Sequence, residues 1–290
     1  MNRIIDILTV AAEHLRGKDF ENARLEVEQI LGCVLSLSRL DLYMAFDRPL
    51  TDDELDRFRR LYRRRLSCEP LQYIIGSTGF RELDVKTDRR ALIPRPETEL
   101  LVELAVKYLH DCVNPLVADI GTGSGIIALS VAYEIKDARI VAVDISDEAL
   151  LLAGQNAAQI GVEDRIRFVR GNMLEGLEGE GPFDAILSNP PYVRSGDIDR
   201  LQPEISRHEP RIALDGGGDG MYYLIVLARN AHRYMKTGGL LLLESSDDQA
   251  DRVAGELTSS GHYSDVDSMT DLAGKKRVVR ALKEKEKIKS

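Results

Sequence analysis

The stretch VADIGTGSGIIAL, Val117 to Leu129, decides the fold because it joins a strand, a turn and a helix. Its first part is apolar enough for a buried strand, and its last part begins a helical pattern. Three glycines in a G-x-G-x-G spacing, Gly121, Gly123 and Gly125, stand between them. Glycine permits tight turning and lets a ligand lie against the backbone. The stretch therefore predicts a glycine turn at a strand tip, with a ligand site beside it.

The chain from residue 115 onward repeats this order of strand, turn and helix. Apolar runs such as RIVAVD and FDAILS alternate with helical patterns such as DEALLLAGQNAAQIG, and HYSDVDSM and KRVVRAL are two further candidate strands near the end. Continuous apolar strands that alternate with helices are typical of a parallel sheet covered on both faces. We therefore predict an α/β fold with a Rossmann-like, doubly wound and mostly parallel sheet.

An acidic residue, Asp144, ends the strand RIVAVD. At this place a carboxylate accepts hydrogen bonds from ribose hydroxyls, which indicates a nucleoside cofactor. The alternative role is a helix N-cap, for which Ser146 or Asp147 is better placed. Because residue 126 is Ile, the glycine spacing lacks the G-x-G-x-x-G dinucleotide fingerprint. S-adenosylmethionine therefore fits this pattern better than NAD.

The stretch LSNPPYV, Leu187 to Val193, ends a strand with an Asn, two prolines and a Tyr. Prolines have no N–H and fix φ, so they stiffen the chain at the strand tip. In a doubly wound sheet this strand lies beside the first one, so Asn189 should face the cofactor. The Asn189 side-chain oxygen and the Pro190 carbonyl can accept two hydrogen bonds from a planar NH₂ group, and Tyr192 can stack on that plane. Pro191 would fix this geometry, whereas the alternative interpretation of Asn-Pro is a plain turn.

The N-terminal part of the chain has a different character. Residues 1–72 show helical spacing and predict a small helical domain, and residues 73–95, with the β-like pieces YII, FRELDV and ALI, predict a β-hairpin linker. Residues 96–284 form the predicted catalytic domain, and 285–290 a frayed tail. Six arginines between Arg57 and Arg65, with no local compensation evident, indicate either a solvated helix face or a docking patch.

Bulk composition excludes several classes of protein. The net charge is −9 and the isoelectric point about 5.2, which argues against a protein that binds polyanions over its whole surface. The three cysteines are widely spaced, so we expect neither disulfides nor a metal site. The N-terminus predicts an amphipathic helix and not a signal peptide, and no apolar run suits a membrane span, which favours the cytoplasm.

The motif [DNS]-PP-[YF] marks class I methyltransferases that act on planar amino or amide nitrogens, and this chain resembles the HemK/PrmC family. Members of that family are protein-(glutamine-N5) methyltransferases of peptide chain release factors. The detail PRPETE, Pro94 to Glu99, favours release factors over a ribosomal protein as substrate. The resemblance covers nearly the whole chain and rests on these stretches: LIPRPETELLVE (92–103), DIGTGSGIIAL (119–129), AVDISDEALLLAGQNA (142–157), FDAILSNPPYV (183–193), HEPRIALDGGGDG (208–220) and DLAGKKRVV (271–279).

The resemblance implies transfer of a methyl group from S-adenosyl-L-methionine to the glutamine of the release factor GGQ motif, with S-adenosyl-L-homocysteine as product. The helical domain would dock the release factor, and neither a membrane nor stable nucleic-acid binding is implied. The family usually has an acid where this chain has Asn172, and reads E-x-G where it has Glu244-Ser245-Ser246. The implied catalytic and substrate-binding residues are Asn189, Pro190, Pro191 and Tyr192, and the implied cofactor-binding residues are Gly121, Thr122, Gly123, Ser124, Gly125, Asp144, Asn172, Met173 and Asn189.

Other functions remain open from the residues alone. The exocyclic amine of adenine is also a planar NH₂ group, so an N6-adenine methyltransferase of DNA or RNA is one alternative. Modification of a ribosomal-protein glutamine is a second, and a non-catalytic cofactor-binding protein a third. The long polar loop from Arg194 to Gly220 follows the NPPY motif, and we expect it to wall the substrate cleft.

Overall fold

A computed structural model describes residues Asn2–Lys285 and divides them into two compact units. The first unit runs to Ser77 and includes Gln202–His208, and the second comprises Thr78–Leu201 and the chain from Glu209 onward. Apart from Lys285, the tail expected to be frayed lies outside the described residues. None of the helices within the described range combines the length and apolar character needed to cross a membrane.

The first unit is helical, as the sequence predicts. Its core contains Leu8, Leu15, Leu31 and Phe58, which share one buried cluster. Its helices are α1 (Ile4–Arg16), α2 (Ala23–Leu35), α3 (Arg39–Met44), α4 (Asp52–Leu66), α5 (Leu71–Ile75) and, from a distant part of the chain, α9 (Pro203–His208).

The expectation of β-like pieces at YII and ALI is wrong, because YII lies in the short helix α5 and ALI, residues 91–93, lies in irregular structure. A brief apolar run fits a strand or a buried helix equally well, and here packing decides. Tyr73 and Ile74 are buried, and Gly76, with φ +90°, ends the helix. The strands β1 (Ser77–Phe80) and β2 (Leu83–Lys86) follow and pair as a two-stranded sheet.

The arginine cluster on α4 is compensated in part, contrary to expectation. Arg65 is buried and pairs with Glu26 at 2.7 Å and with Glu204 at 3.0 Å, while Arg64 pairs with Glu69 at 2.8 Å. Glu26 and Glu204 come from α2 and α9, so their pairing with Arg65 depends on how three helices of one unit pack.

The second unit contains a seven-stranded sheet of order β5-β4-β3-β6-β7-β9-β8. Strands β3 to β7 are parallel, and β9 is antiparallel to both β7 and β8. This confirms the predicted doubly wound, mostly parallel fold. The elements are α6 (Thr98–Leu109), β3 (Leu116–Ile120), α7 (Ile126–Glu134), β4 (Arg139–Asp144), α8 (Asp147–Ile160), β5 (Ile166–Arg170), β6 (Phe183–Ser188), α10 (Tyr222–Asn230), β7 (Met235–Glu244), α11 (Asp247–Ser260), β8 (Tyr263–Thr270) and β9 (Lys276–Lys283).

Successive residues of β3 feed two cores, one on each face of the sheet. Val117 packs into a cluster with α6 and α7, and Ala118 packs into a second cluster with α10 and α11. The register then sets the position of the strand tips. Ile120 at the end of β3 pairs with Val143 of β4 and with Ser188 of β6. The three residues that follow these positions, Gly121, Asp144 and Asn189, therefore emerge together at one edge of the sheet.

Candidate functional site

The glycine turn between β3 and α7 is built for close approach. Gly121, Gly123 and Gly125 have φ values of +72°, +57° and +88°, a region that favours glycine. A Cβ on Gly121 would meet none of the described heavy atoms within 4 Å, so the turn leaves open space there. A Cβ on Gly125 would instead lie 3.1 Å from Ala153 and from Leu129. Gly125 therefore serves helix packing, whereas Gly121 leaves room for a ligand.

Asp144 holds the glycine turn from the neighbouring strand. Its Oδ2 accepts a hydrogen bond from the Gly123 N–H at 2.9 Å, and its Oδ1 accepts one from the Ser146 N–H at 2.9 Å. Burial raises the pKa of this carboxyl above its ordinary value. Ser146 is the N-cap of α8 and accepts from the Ala149 N–H at 3.2 Å, as the sequence analysis preferred. Ser146 and not Asp144 therefore caps α8, and the Asp144 carboxylate stabilises the glycine turn.

A cleft opens above these strand tips. Among the predicted site residues it is lined by Gly121, Thr122, Gly123, Ser124, Asp144, Asn172, Met173, Asn189 and Pro191. Three others within the described chain, Gly125, Pro190 and Tyr192, are outside its lining. Further walls come from residues that the sequence did not single out as site residues: Arg90–Arg95, Thr98, Ile126, Ile127, Ile145, Ser146, Ala149, Gly171, Pro210, Ile212, Ala213 and Tyr223.

A buried hydrogen-bond chain supports the NPPY motif from below. The Asn189 Nδ2 donates to Thr98 Oγ1 at 3.2 Å, and Thr98 Oγ1 donates to Glu244 Oε2 at 2.7 Å. The Tyr192 hydroxyl donates to the other oxygen, Glu244 Oε1, at 3.3 Å. Burial raises the pKa of Glu244 to about 7 and also raises the pKa of Tyr192. The hydroxyl of Tyr192 is therefore occupied by this network, although the sequence suggested only a stacking ring.

Sequence reasoning missed a second buried acid, Asp119, two residues before Gly121 of the glycine turn. Its Oδ2 accepts from Thr122 Oγ1 at 2.6 Å and from the Ala128 N–H at 3.1 Å. Its Oδ1 is buried and has no hydrogen-bond partner among the described residues. Burial raises the pKa of Asp119 to about 7. The available signal was an acid within the apolar strand β3, whose register partner on β4 is Ala142, two residues before Asp144.

The loop after NPPY returns to the motif and closes against it. The Val193 N–H donates to Leu214 O at 2.9 Å, and the Gly216 N–H donates to Val193 O at 2.8 Å. The Gln249 side chain donates to both Tyr192 O and Gly220 O, at 2.9 and 3.2 Å.

The same loop supplies part of the cleft wall through Pro210, Ile212 and Ala213. Glu209, just before this wall, accepts from the Ile93 N–H at 3.2 Å and pairs with Arg95. Glu209 thereby joins the cleft-lining segment Arg90–Arg95 to the cleft-lining segment that begins at Pro210. These contacts agree with the expectation that the loop walls a cleft.

The departure at Ser246 has a structural explanation. Ser246 has φ −73° and is the N-cap residue of α11, so a glycine conformation is not needed there. Its N–H donates to Gln249 Oε1 at 3.3 Å. The Nε2 of the same Gln249 donates to Tyr192 O, so hydrogen bonds through Gln249 link Ser246 to the NPPY motif.

Comparison with known proteins agrees with this geometry. Residues 6–76 match the family described as the PrmC N-terminal domain, and residues 97–237 match the methyltransferase small domain. The chain is 41% identical over 266 residues to a release factor glutamine methyltransferase of Geobacter sulfurreducens, with 92% of each chain covered. It is 40% identical over 276 residues to the protein of the same name from Chlorobaculum tepidum, covering 92% of this chain and 93% of that one. A methyltransferase structure from Pyrococcus furiosus shares the fold, with a TM-score of 0.51, 17% identity, and coverage of 80% and 99%.

Proposed function

Since this chain belongs to the family of release factor glutamine methyltransferases, we propose that it methylates the side-chain amide nitrogen of a glutamine in peptide chain release factors, with S-adenosyl-L-methionine as methyl donor. The observation that carries the proposal is the sheet register. It brings the glycine turn at Gly121, the carboxylate of Asp144 and the carboxamide of Asn189 to one cleft. That combination suits a nucleoside-bearing donor on one side and a planar NH₂ group on the other.

The residues around the glycine turn fit S-adenosylmethionine. Gly121 leaves open space against the backbone, and Asp144 presents a carboxylate to the cleft. We assign Asp144 to the ribose hydroxyls and Asn172 and Met173 to the adenine end. The segment Thr122–Ser124 would contact the rest of the donor. Asp119, whose Oδ1 has no hydrogen-bond partner among the described residues, is fully buried and lies outside the cleft lining. When bound, the donor would supply a methyl group on a positively charged sulfur.

The NPPY motif would prepare the acceptor nitrogen. A carboxamide nitrogen is a poor nucleophile because its lone pair is delocalised into the carbonyl group. The Asn189 Oδ1 and the Pro190 carbonyl each accept one N–H of the glutamine, which aims the amide and stabilises positive charge that develops on nitrogen. Pro190 is buried and Pro191 adjoins it, so the motif backbone is stiff. We assign Tyr192 to packing beside the bound amide, and proton loss to water completes the reaction.

The first unit would recognise the release factor at a distance from the target glutamine. We propose residues 1–72 as the docking domain, 73–95 as the linker and 96–284 as the catalytic domain. Arg59, Arg60 and Arg63 line one surface depression on α4 together with Asp56, and this face suits an acidic partner surface. The proposal places the enzyme in the cytoplasm, with release factors as its protein substrate and without stable binding to nucleic acid.

The direct test is mass spectrometry of purified release factor after incubation with enzyme and S-adenosylmethionine. We expect one added methyl group, located by fragmentation on the GGQ glutamine. A release factor with that glutamine replaced by Glu is the matched substrate control, because it keeps the shape but lacks the NH₂ group. Methyl transfer to a ribosomal protein or to nucleic acid, and none to release factor, would refute the proposed function.

A further inference from the structure

The carboxamide of Asn189 can be held in two orientations that differ in chemistry but hardly in shape. Its oxygen accepts hydrogen bonds, whereas its NH₂ group only donates them. In the proposed reaction the substrate amide is itself a donor, so only an outward-facing oxygen can receive it. The reaction therefore needs a neighbour that distinguishes the NH₂ end of Asn189 from its oxygen.

Thr98 is such a neighbour because its hydroxyl proton is already used. Thr98 Oγ1 lies 2.7 Å from Glu244 Oε2 and 3.2 Å from Asn189 Nδ2. At pH values above its raised pKa of about 7, Glu244 is an ionised carboxylate that can only accept, so the hydroxyl proton then points at Glu244. The lone pairs of Thr98 are then left for Asn189, and they can bind its NH₂ group but not its oxygen. The direction of the chain, from Asn189 to Thr98 to Glu244, fixes which end of the carboxamide turns outward.

Burial makes this directionality stronger. Thr98 is 2% exposed and Glu244 is 1% exposed, so water does not readily replace either partner. Glu244 is also held by the Tyr192 hydroxyl on its second oxygen. Burial disfavours the charged form and raises the pKa of Glu244 to about 7, so the acceptor-only carboxylate predominates above pH 7.

We propose that Thr98 and Glu244 are positioning residues that orient the Asn189 carboxamide with its oxygen toward the substrate. This inference rests on the proposed function. It adds to it the residues that make the NPPY motif accept hydrogen bonds from an NH₂ group. It also gives a role to Thr98 within the PRPETE stretch. Thr98 begins α6 and Glu244 ends β7, so the fold brings them under Asn189 from distant parts of the chain.

Two variants of Thr98 separate this role from a packing role. Thr98→Val keeps the shape and removes the hydroxyl, whereas Thr98→Ser keeps the hydroxyl and removes a methyl group. Single-turnover and steady-state methylation of release factor would give kcat, and titration would give the Kd for S-adenosylmethionine. We expect Thr98→Val to lower kcat about tenfold or more through misorientation of Asn189, with the cofactor Kd within about twofold, and Thr98→Ser to recover most of kcat.

The outcomes are distinguishable. A normal kcat in Thr98→Val would overturn the positioning role. An equal loss of kcat in both variants, together with weaker cofactor binding and lower thermal stability, would overturn it as well. A double-mutant cycle provides a second readout. If Thr98 acts through Asn189, adding Thr98→Val to Asn189→Ala should change the remaining rate by less than about twofold. Absence of transfer by the wild-type enzyme would instead overturn the proposed function itself.

Discussion

Replacement of Glu244 by Gln should change how the stability of this protein depends on pH. The burial of Glu244 raises its pKa from 4.5 to about 7, with Glu97 nearby raising it further and Arg277, Thr98 and Tyr192 opposing the shift. Gln has nearly the same shape and can still accept from the Thr98 hydroxyl. Unlike Glu, it carries no charge at any pH, so the variant removes the cost of ionising a buried group.

The magnitude follows from the two pKa values. A folded-state pKa above the unfolded one means that protonated Glu244 stabilises the fold. That contribution is complete below pH 4.5 and is lost as the pH rises toward 7. The difference between 4.5 and about 7 corresponds to about 3 kcal/mol. Between pH 5 and pH 8, the free energy of unfolding of Glu244→Gln should therefore increase relative to wild type by about 2 to 3 kcal/mol.

Urea unfolding of both proteins at pH 5 and at pH 8 would measure this difference. The exposed Glu103 on α6 provides a control, because Glu103→Gln removes the same charge at an exposed site. Asp119 is another buried acid with a raised pKa, but it is present in all three proteins, so its titration cancels in the comparison. An advantage of Glu244→Gln that stays constant between the two pH values would refute the reasoning.

Three further substitutions test the site. Asn189→Ala should leave the Kd for S-adenosylmethionine within about threefold and lower kcat about 10²-fold or more, since one preorganised acceptor is lost; a near-normal kcat in the methylation assay would contradict it. Asp144→Ala should weaken cofactor binding by about ten- to a hundredfold, as loss of a hydrogen bond to a charged group costs about 1.5–3 kcal/mol; calorimetry with an unchanged Kd would rule out the ribose assignment. Gly220→Ala would place a Cβ 2.4 Å from Tyr192 O at φ +74°. It should therefore lose at least about 1–2 kcal/mol of stability together with methylation activity, whereas Gly218→Ala, whose Cβ meets no described heavy atom within 4 Å, should behave like wild type in both assays.

Much of the catalytic unit was predictable because its signals are local. Gly121 and Gly123 adopt the positive φ values that a tight turn after a strand requires. The strand containing Asp144 and the strand before Asn189 were both evident from continuous apolar runs. The topology of doubly wound sheets predicted that both strands lie beside β3, and the register of Ile120 with Val143 and Ser188 agrees with that prediction.

Local patterns were less informative where the same residues are compatible with two conformations. The run Tyr73–Ile75 suits a short strand as well as a helix. In the structure it forms the helix α5, which packs against α2 and α4 with Tyr73 and Ile74 buried. Ser246 departs from a family glycine, which suggested a closed-off conformation. Its φ of −73° at the start of α11 shows that a helix N-cap, for which Ser is well suited, occupies that position.

The sequence by itself determined the order of strands and helices, the glycine turn and the rigid NPPY tip, because each depends on residues close together in the chain. Only the tertiary structure decided which distant side chains pair. It placed Glu26 and Glu204 on Arg65, and it placed Thr98 and Glu244 beneath Asn189. A short pattern specifies backbone conformation, whereas a hydrogen bond between α6 and β7 depends on how whole elements pack. The orientation of one carboxamide is therefore a property of the folded domain.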